Sequence, residues 1–464
     1  MILATCLLSV LLQAEDATRI KIGPNVAVNK DEPLKMHTEV VFAVNPADPR
    51  NLVAASNRSW GDAKTKQCIV LVFVSQDGGA TWETIPTEAD RGSYRGDPAI
   101  VFGPDGTAYL GTIATGTPGT IASSKDKGRT WQKAGNSSMG DHSRLALDPR
   151  TGHLYAIFAN NGGKVHELKW AVSTDGAKSF GPRTKVPGLG SETEWVLTLN
   201  YPHVLPDGTL FLPVRREDEK QEYGLKSVFD VGFVTSRDGG KSFTSVKRIV
   251  SLPSPWDAGA EREAQRRTFR EGYYRKGLNA RRSCYTLPRF TYDAAGGIYL
   301  VWEQSESLEA DPGRLRTRIW LTKSRDGGAT WSPPKRIDLA APAASRQGMP
   351  QIAVSSDGTV GVAWIDTRGH AEDGPFAFDL WFTASIDKGE TFLPPVKVSD
   401  EPSKPDFVNK LPYAWNWDLG WGALGDETDL VAGGPGRTFH FLWPDSRTGI
   451  AQIMYAPGEV PRKP

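Results

Sequence analysis

The chain of 464 residues has only 3 Cys and 5 Met. So few cysteines exclude a disulfide-built scaffold, and no Cys/His cluster has the spacing of a zinc site. Neither a GxxxxGK[ST] loop nor a glycine-rich dinucleotide fingerprint occurs, so no cofactor is expected. Charge of one sign is also missing: 55 Lys+Arg against 54 Asp+Glu leave a net +1. That balance removes the electrostatic reason to expect nucleic acid or an anionic membrane as partner. Long apolar runs are absent, the one at the N-terminus, Ile2 to Leu12, being too short to span a bilayer. It suits the apolar stretch of a secretory signal ending near Ala14 (residues 1–14), although no basic residue precedes it. A buried first strand is the other reading. Export would place the mature chain outside the cell or in the periplasm, and would leave Cys68 and Cys284 either to pair or to stay as isolated thiols.

What is abundant is glycine (48), proline (33) and tryptophan (15). Many turns and short strands follow, rather than long helices. Length alone suggests about three domains of roughly 150 residues. A repeat argues for a different division. The pattern Ser-x-Asp-x-Gly-x-Thr/Ser-Trp/Phe recurs at Ser75–Trp82, Ser124–Trp131, Ser173–Phe180, Ser236–Phe243, Ser324–Trp331 and Ser385–Phe392. Its aspartates are Asp77, Asp126, Asp175, Asp238, Asp326 and Asp387; the third copy has Ala177 in place of a glycine. Ser and Asp side chains accept backbone N–H bonds within a tight turn, Gly takes positive φ, and the closing aromatic anchors the turn in the apolar layer.

A hairpin precedes each octet: two apolar strands around a Pro/Asp/Gly turn. Seven such hairpins run from Val40–Ser56 to Asp429–Trp443. Each repeat is thus a hairpin, a third strand, a tight turn and a fourth strand. Repeated four-stranded antiparallel units predict a single all-β propeller, seven-bladed, with six blades as the alternative. The predicted blades are about 38–94, 95–139, 140–199, 200–284, 285–346, 347–424 and 425–456. The last lacks a fourth strand, which residues 18–28 can supply. Residues 254–282, rich in Arg and Glu, interrupt the repeat.

The octets resemble the Asp-boxes (BNR repeats) of the sialidase, or neuraminidase, superfamily. The chain is similar along most of its length to bacterial secreted propellers of that family, through stretches such as NPADPRNLVAAS and FLWPDSRTG. The resemblance implies a glycosidase of exo-alpha-sialidase type, with carbohydrate or glycoconjugate as partner. Family sialidases hold the substrate carboxylate with three Arg and use a Tyr nucleophile activated by a Glu, with an Asp as acid/base. Guanidinium suits a carboxylate because it binds bidentately. The family's Phe-Arg-Ile-Pro motif is absent.

In a propeller the site gathers at one channel mouth, away from the octets. The residues opening the inner strands are read as Val41, Ala99, Arg144, His203, Arg289, Gln351 and Asp429, preceded by Asp97, Asp141, Tyr201 and Asp426. Loops after the second strands add Arg58, Asp62, Arg216, Glu303, Asp366, Arg368, Asp445 and Arg447. The candidate constellation is Arg144, Arg289 and Arg368 for an acidic group, Tyr285 with Glu303, and Asp97 or Asp62 as proton donor. Arg216, His203, Asp426 and Arg447 complete the candidate substrate contacts. The bland alternative for Asp366-x-Arg368 and Asp445-x-Arg447 is an ion pair bracing each loop. The interruption 254–282, with Tyr273 and Tyr274, is either a substrate-gating lid or a solvated excursion, whereas the connection carrying Tyr413, Trp415, Trp417 and Trp421 either stacks on sugar or caps the propeller. The competing function is a non-catalytic propeller binding glycan or protein; a hydrolase or lyase of other specificity is the third. No residue pattern demands an oligomer, so a monomer is expected.

Overall fold

Each predicted hairpin becomes the inner half of a four-stranded antiparallel sheet. The structure, a computed structural model, describes residues 19–60, 67–86, 95–114, 119–135, 139–160, 167–190, 194–198, 201–218, 228–253, 288–305, 317–339, 341–342, 345–370, 377–404 and 428–462. Seven blades form a ring, and no helix occurs among the described residues. Their inner strands are, in blade order, Met36–Val44, Arg95–Phe102, Asp141–Leu147, the split strand Glu194–Thr198 and His203–Val204, Arg289–Tyr292, Gln347–Val354 and Val431–Gly433. The architecture is a seven-bladed β-propeller.

The blades stack face to face, so strands such as Gln67–Ser75 are buried on both sides and read as continuous apolar runs. Val41 packs with Ile100 and Leu110 of the second blade, whereas Phe42 packs with Leu442, Ile453 and Tyr455 of the seventh. That second cluster closes the ring. Trp302, Trp364 and Trp443, ending their apolar runs on the second strands, are all fully buried.

The N-terminal segment completes the seventh blade. Lys21 pairs with Glu459 and Ile22 with Gly458, and further on Val26 pairs with Tyr455. Asn29 pins this closure: its amide donates to Gln452 Oε1 at 2.7 Å and accepts the Ile453 N–H at 2.8 Å. One boundary differs from the sequence reading. Glu194–Thr198, read there as the end of the third blade, pairs with Leu210–Asp218 and belongs to the fourth. The chain breaks strand geometry before His203, at Pro202, and this hid the continuation.

The octets form the expected turns. Ser75 Oγ donates to Asp77 at 2.9 Å and accepts the Gly79 N–H at 2.8 Å, while Asp77 accepts from the Thr81 N–H and hydroxyl at 2.9 and 2.6 Å. The same bonds recur around Asp126, Asp175, Asp238, Asp326 and Asp387. Octets and hairpin turns share one end of the ring: Lys127 Nζ lies 2.7 Å from Asp48, and Asn51 donates to the Lys127 carbonyl at 3.2 Å. Cys68 is buried; Cys284 lies outside the described residues.

Candidate functional site

Hairpin hydrogen bonds set a common register for the inner strands. In each blade one backbone N–H closes the hairpin: Asn45 to Asn51, Gly103 to Thr107, Asp148 to His153, Leu205 to Thr209, Asp293 to Gly297, Ser355 to Thr359 and Gly434 to Thr438. Counting back four residues from each donor gives Val41, Ala99, Arg144, Tyr201, Arg289, Gln351 and Leu430. Arg144, Tyr201 and Arg289 therefore occupy one level of three successive blades. His203 stands two residues deeper than the sequence reading placed it. There its ring meets Tyr292 edge-on, with centroids 5.4 Å apart, and burial lowers its pKa to about 4.

Tyr201 donates its hydroxyl hydrogen bond to Asp429 at 3.0 Å, from the fourth blade to the seventh. In a ring of seven these blades are three places apart, so the bond crosses the channel. The Arg144 guanidinium lies 5.4 Å from the centre of the Tyr201 ring. Burial and then the Asp429 charge push the Tyr201 hydroxyl well up, while Arg144 and Arg289 pull it down. Tyr201 is therefore a protonated donor at neutral pH. Burial also pushes the Asp429 carboxyl up, against the pull of Arg289 and Arg144. A carboxylate of raised pKa is a stronger base than an exposed one. From the hairpin end a cavity of about 430 Å³ runs up the channel past Val44, Leu147 and Val354 and ends at Tyr201 and Asp429.

Around this level the strand openings are bulged. The register breaks between Thr38 and Val41, Gly96 and Ala99, Asp141 and Arg144, and Gly348 and Gln351. Glu39, Asp97 and Met349 sit in these bulges at φ of 51, 47 and 51°. Non-glycine residues hold such angles only where their surroundings impose them. Two of the bulges are held by a side chain of the preceding blade. Asn57 Oδ1 accepts the Asp97 N–H at 3.0 Å, and Glu303 Oε2 accepts the Met349 N–H at 2.8 Å. Burial pushes the Glu303 carboxyl well up, against the pull of that bond.

The structure thus brings Arg144 and Arg289 together and places Glu303 as a clamp on the sixth blade. Arg368 is not part of the cluster. Its Nε and Nη2 bind Asp366 at 2.8 and 2.5 Å, and its guanidinium lies 3.9 Å from the centre of the Trp381 ring. Arg447 binds Asp445 through Nε and Nη2, each at 3.0 Å, and Asp400 at 2.7 Å. Both pairs brace their loops, and Trp364 and Trp443 donate to the same two aspartates. Arg216 lies on the second strand of the fourth blade, opposite Asp230 and half-buried. Asp62, Tyr285, Asp426, the interruption 254–282 and the aromatic connection containing Tyr413 to Trp421 lie outside the described residues. Tyr201 and Asp429 received no chemical role from sequence. Their signal was present in the hairpin register, which a one-residue misalignment at Asp429 and a two-residue one at His203 concealed. Among the described residues no group of three His, Cys, Asp or Glu could hold a metal ion.

No protein-family model matches the chain, and no curated protein matches it in sequence. Solved structures do resemble it in shape. The polysaccharide lyase Uly1 matches over 88% of each chain at 8% identity, with a TM-score of 0.50. A protein of unknown function from Dyadobacter fermentans matches at 12% identity over 95% of this chain and 99% of its own, TM-score 0.47. The sialidase of Trypanosoma rangeli, as a covalent intermediate with 2,3-difluorosialic acid, matches at 12% identity over 94% of this chain and 59% of its own, TM-score 0.45. At such identities the likeness is one of fold alone; the seven blades are read from this chain's own sheets.

Proposed function

We propose that this chain is an exported glycoside hydrolase of sialidase type, acting on terminal sugars that carry a carboxylate. The observation that carries the reading is the level shared by Arg144, Tyr201 and Arg289, with Asp429 facing them across the channel. Two guanidinium groups suit the sugar carboxylate. Tyr201 and Asp429 make the hydroxyl-to-carboxylate pair that the sequence reading sought in Tyr285 and Glu303. In the proposed reaction the Tyr201 oxygen attacks the anomeric carbon and its proton passes to Asp429. The glycosidic C–O bond breaks, and the leaving oxygen takes a proton from Asp97. Water then cleaves the tyrosyl link, giving one proton to the Asp97 carboxylate while Asp429 returns its proton to Tyr201.

A second reading, a propeller that binds glycan or protein without chemistry, is favoured by a separate observation. Arg144 and Arg289 are only 3% and 2% exposed, and Arg368 and Arg447 are engaged with loop aspartates. Hydrolysis of a fluorogenic sialoside separates the two. The hydrolase reading expects turnover that falls by at least about 100-fold in Arg289→Ala, the order expected for loss of a charge-assisted contact in the transition state. Turnover unchanged in that variant removes Arg289 from the site. No turnover in the unaltered protein, with retention on a glycan array, selects the binding propeller.

A further inference from the structure

We propose that Asn57 is a positioning residue that fixes Asp97 as the proton donor of this site, an inference that rests on the hydrolase reading above. Asn57 is 5% exposed and stands on the second strand of the first blade; Asp97 lies in the inner-strand bulge of the second. The two are joined twice. Asn57 Oδ1 accepts the Asp97 backbone N–H at 3.0 Å, and Asn57 Nδ2 reaches Asp97 Oδ1 at 3.5 Å, the outer limit of such a bond. Asp97 is held at φ 47°, an angle a non-glycine residue keeps only where the surroundings over-determine it. Pro98 follows, and it narrows the backbone choices of Asp97 further.

The clamp is a device of the fold rather than an isolated contact. Asn57 stands two residues beyond Ala55, the partner of Val41; Glu303 stands two residues beyond Val301, the partner of Arg289. At both places the side chain accepts the bulge amide of the next blade. The two differ in what is clamped. In the sixth blade it is Met349, which carries no chemistry; in the second it is a half-buried carboxylate on the inner strand of the blade next to that of Arg144. An amide serves here where a carboxylate serves in the sixth blade, because Asn57 Nδ2 can face the Asp97 carboxylate without the repulsion a second anion would bring.

The test uses two sialosides, one with an alkyl alcohol leaving group and one with a nitrophenol. A general acid matters most where the leaving oxygen is basic and little where it leaves unaided. In Asn57→Ala, kcat/KM, which reports the step that breaks the glycosidic bond, should fall about 100-fold on the alkyl sialoside and only a few-fold on the nitrophenyl one. Asn57→Asp keeps the acceptor for the Asp97 amide, so it should keep the fold while showing the same leaving-group dependence. Equal losses on both substrates, or none, overturn the positioning role while leaving the hydrolase reading in place. An unaltered protein that cleaves neither substrate overturns both.

Discussion

At the residue scale, the octets show how far one methyl group decides a structure. The glycine at the fifth octet position has positive φ in every copy, and Ala177 takes the same place at φ 64°. A Cβ on Gly79 would lie 2.0 Å from the Tyr455 ring of the preceding blade. Gly79→Ala therefore combines a left-handed penalty of about 1–2 kcal/mol with overpacking of about 1–3 kcal/mol. Urea unfolding should show a loss of roughly 3 kcal/mol, and a loss under about 1 kcal/mol would mean the blades separate to admit the methyl. The reverse change, Ala177→Gly, is different. Relief of about 1–2 kcal/mol is offset by a lost buried methyl, about 0.8 kcal/mol, and by about 0.4–1 kcal/mol of unfolded-chain entropy. It should be neutral to within about 0.5 kcal/mol in the same assay.

Elements add what single residues do not. The Asp-x-Arg pairs following Trp364 and Trp443 were open between substrate contact and loop brace in the sequence; two residues apart, either use is sterically possible. The structure shows the brace, because the aspartates are wholly buried and each receives a tryptophan N–H as well as the guanidinium. Arg368→Ala leaves Asp366 buried without its cation and should cost about 2–3 kcal/mol in stability. The KM for the fluorogenic sialoside should stay within about twofold. A tenfold rise in KM with stability unchanged would return Arg368 to the substrate. Inner-strand bulges belong to this scale too. Nothing in a local stretch such as Gly96-Asp97-Pro98 announces that Asn57, forty residues earlier, receives its amide.

For the whole molecule, the near-zero net charge conceals groups held far from their ordinary titration. Asp175, Asp238, Asp326 and Asp387 are lowered to about 2; for the first three the leading cause is the side-chain bond from the octet Ser or Thr, while in Asp387 these bonds outweigh burial. A carboxylate lowered in the folded state stabilises it above its unfolded value, near 3.8, and that contribution is lost as pH falls toward 2. Burial lowers His37 to about 3 and His440 to about 4, so they oppose folding increasingly as pH falls from 6.5 toward those values. Burial raises Glu303, Asp338 and Asp429, which favour folding increasingly as pH falls toward their unfolded values, near 4. Between about pH 6.5 and 4 these two sets oppose each other; below 4 the favourable set is exhausted. Melting temperatures should therefore drop steeply between pH 4 and 2. A melting temperature held constant across that interval would show that the octet aspartates are not linked to folding.

Local chemistry in the sequence was enough for the repeat, the hairpins, the octet turns and the blade count, because each is specified by a short stretch and its turn residues. The closing strand at residues 18–28 was legible for the same reason: one blade lacked a strand and one spare strand existed. The channel site was legible only in part. Arg144 and Arg289 stood out by residue type at matched positions, whereas the Tyr201–Asp429 pair joins residues 228 apart in sequence. Its formation depends on which blades face each other across the ring and on a register that hairpin hydrogen bonds set to the residue. Those are properties of ring closure, and only the tertiary structure decides them.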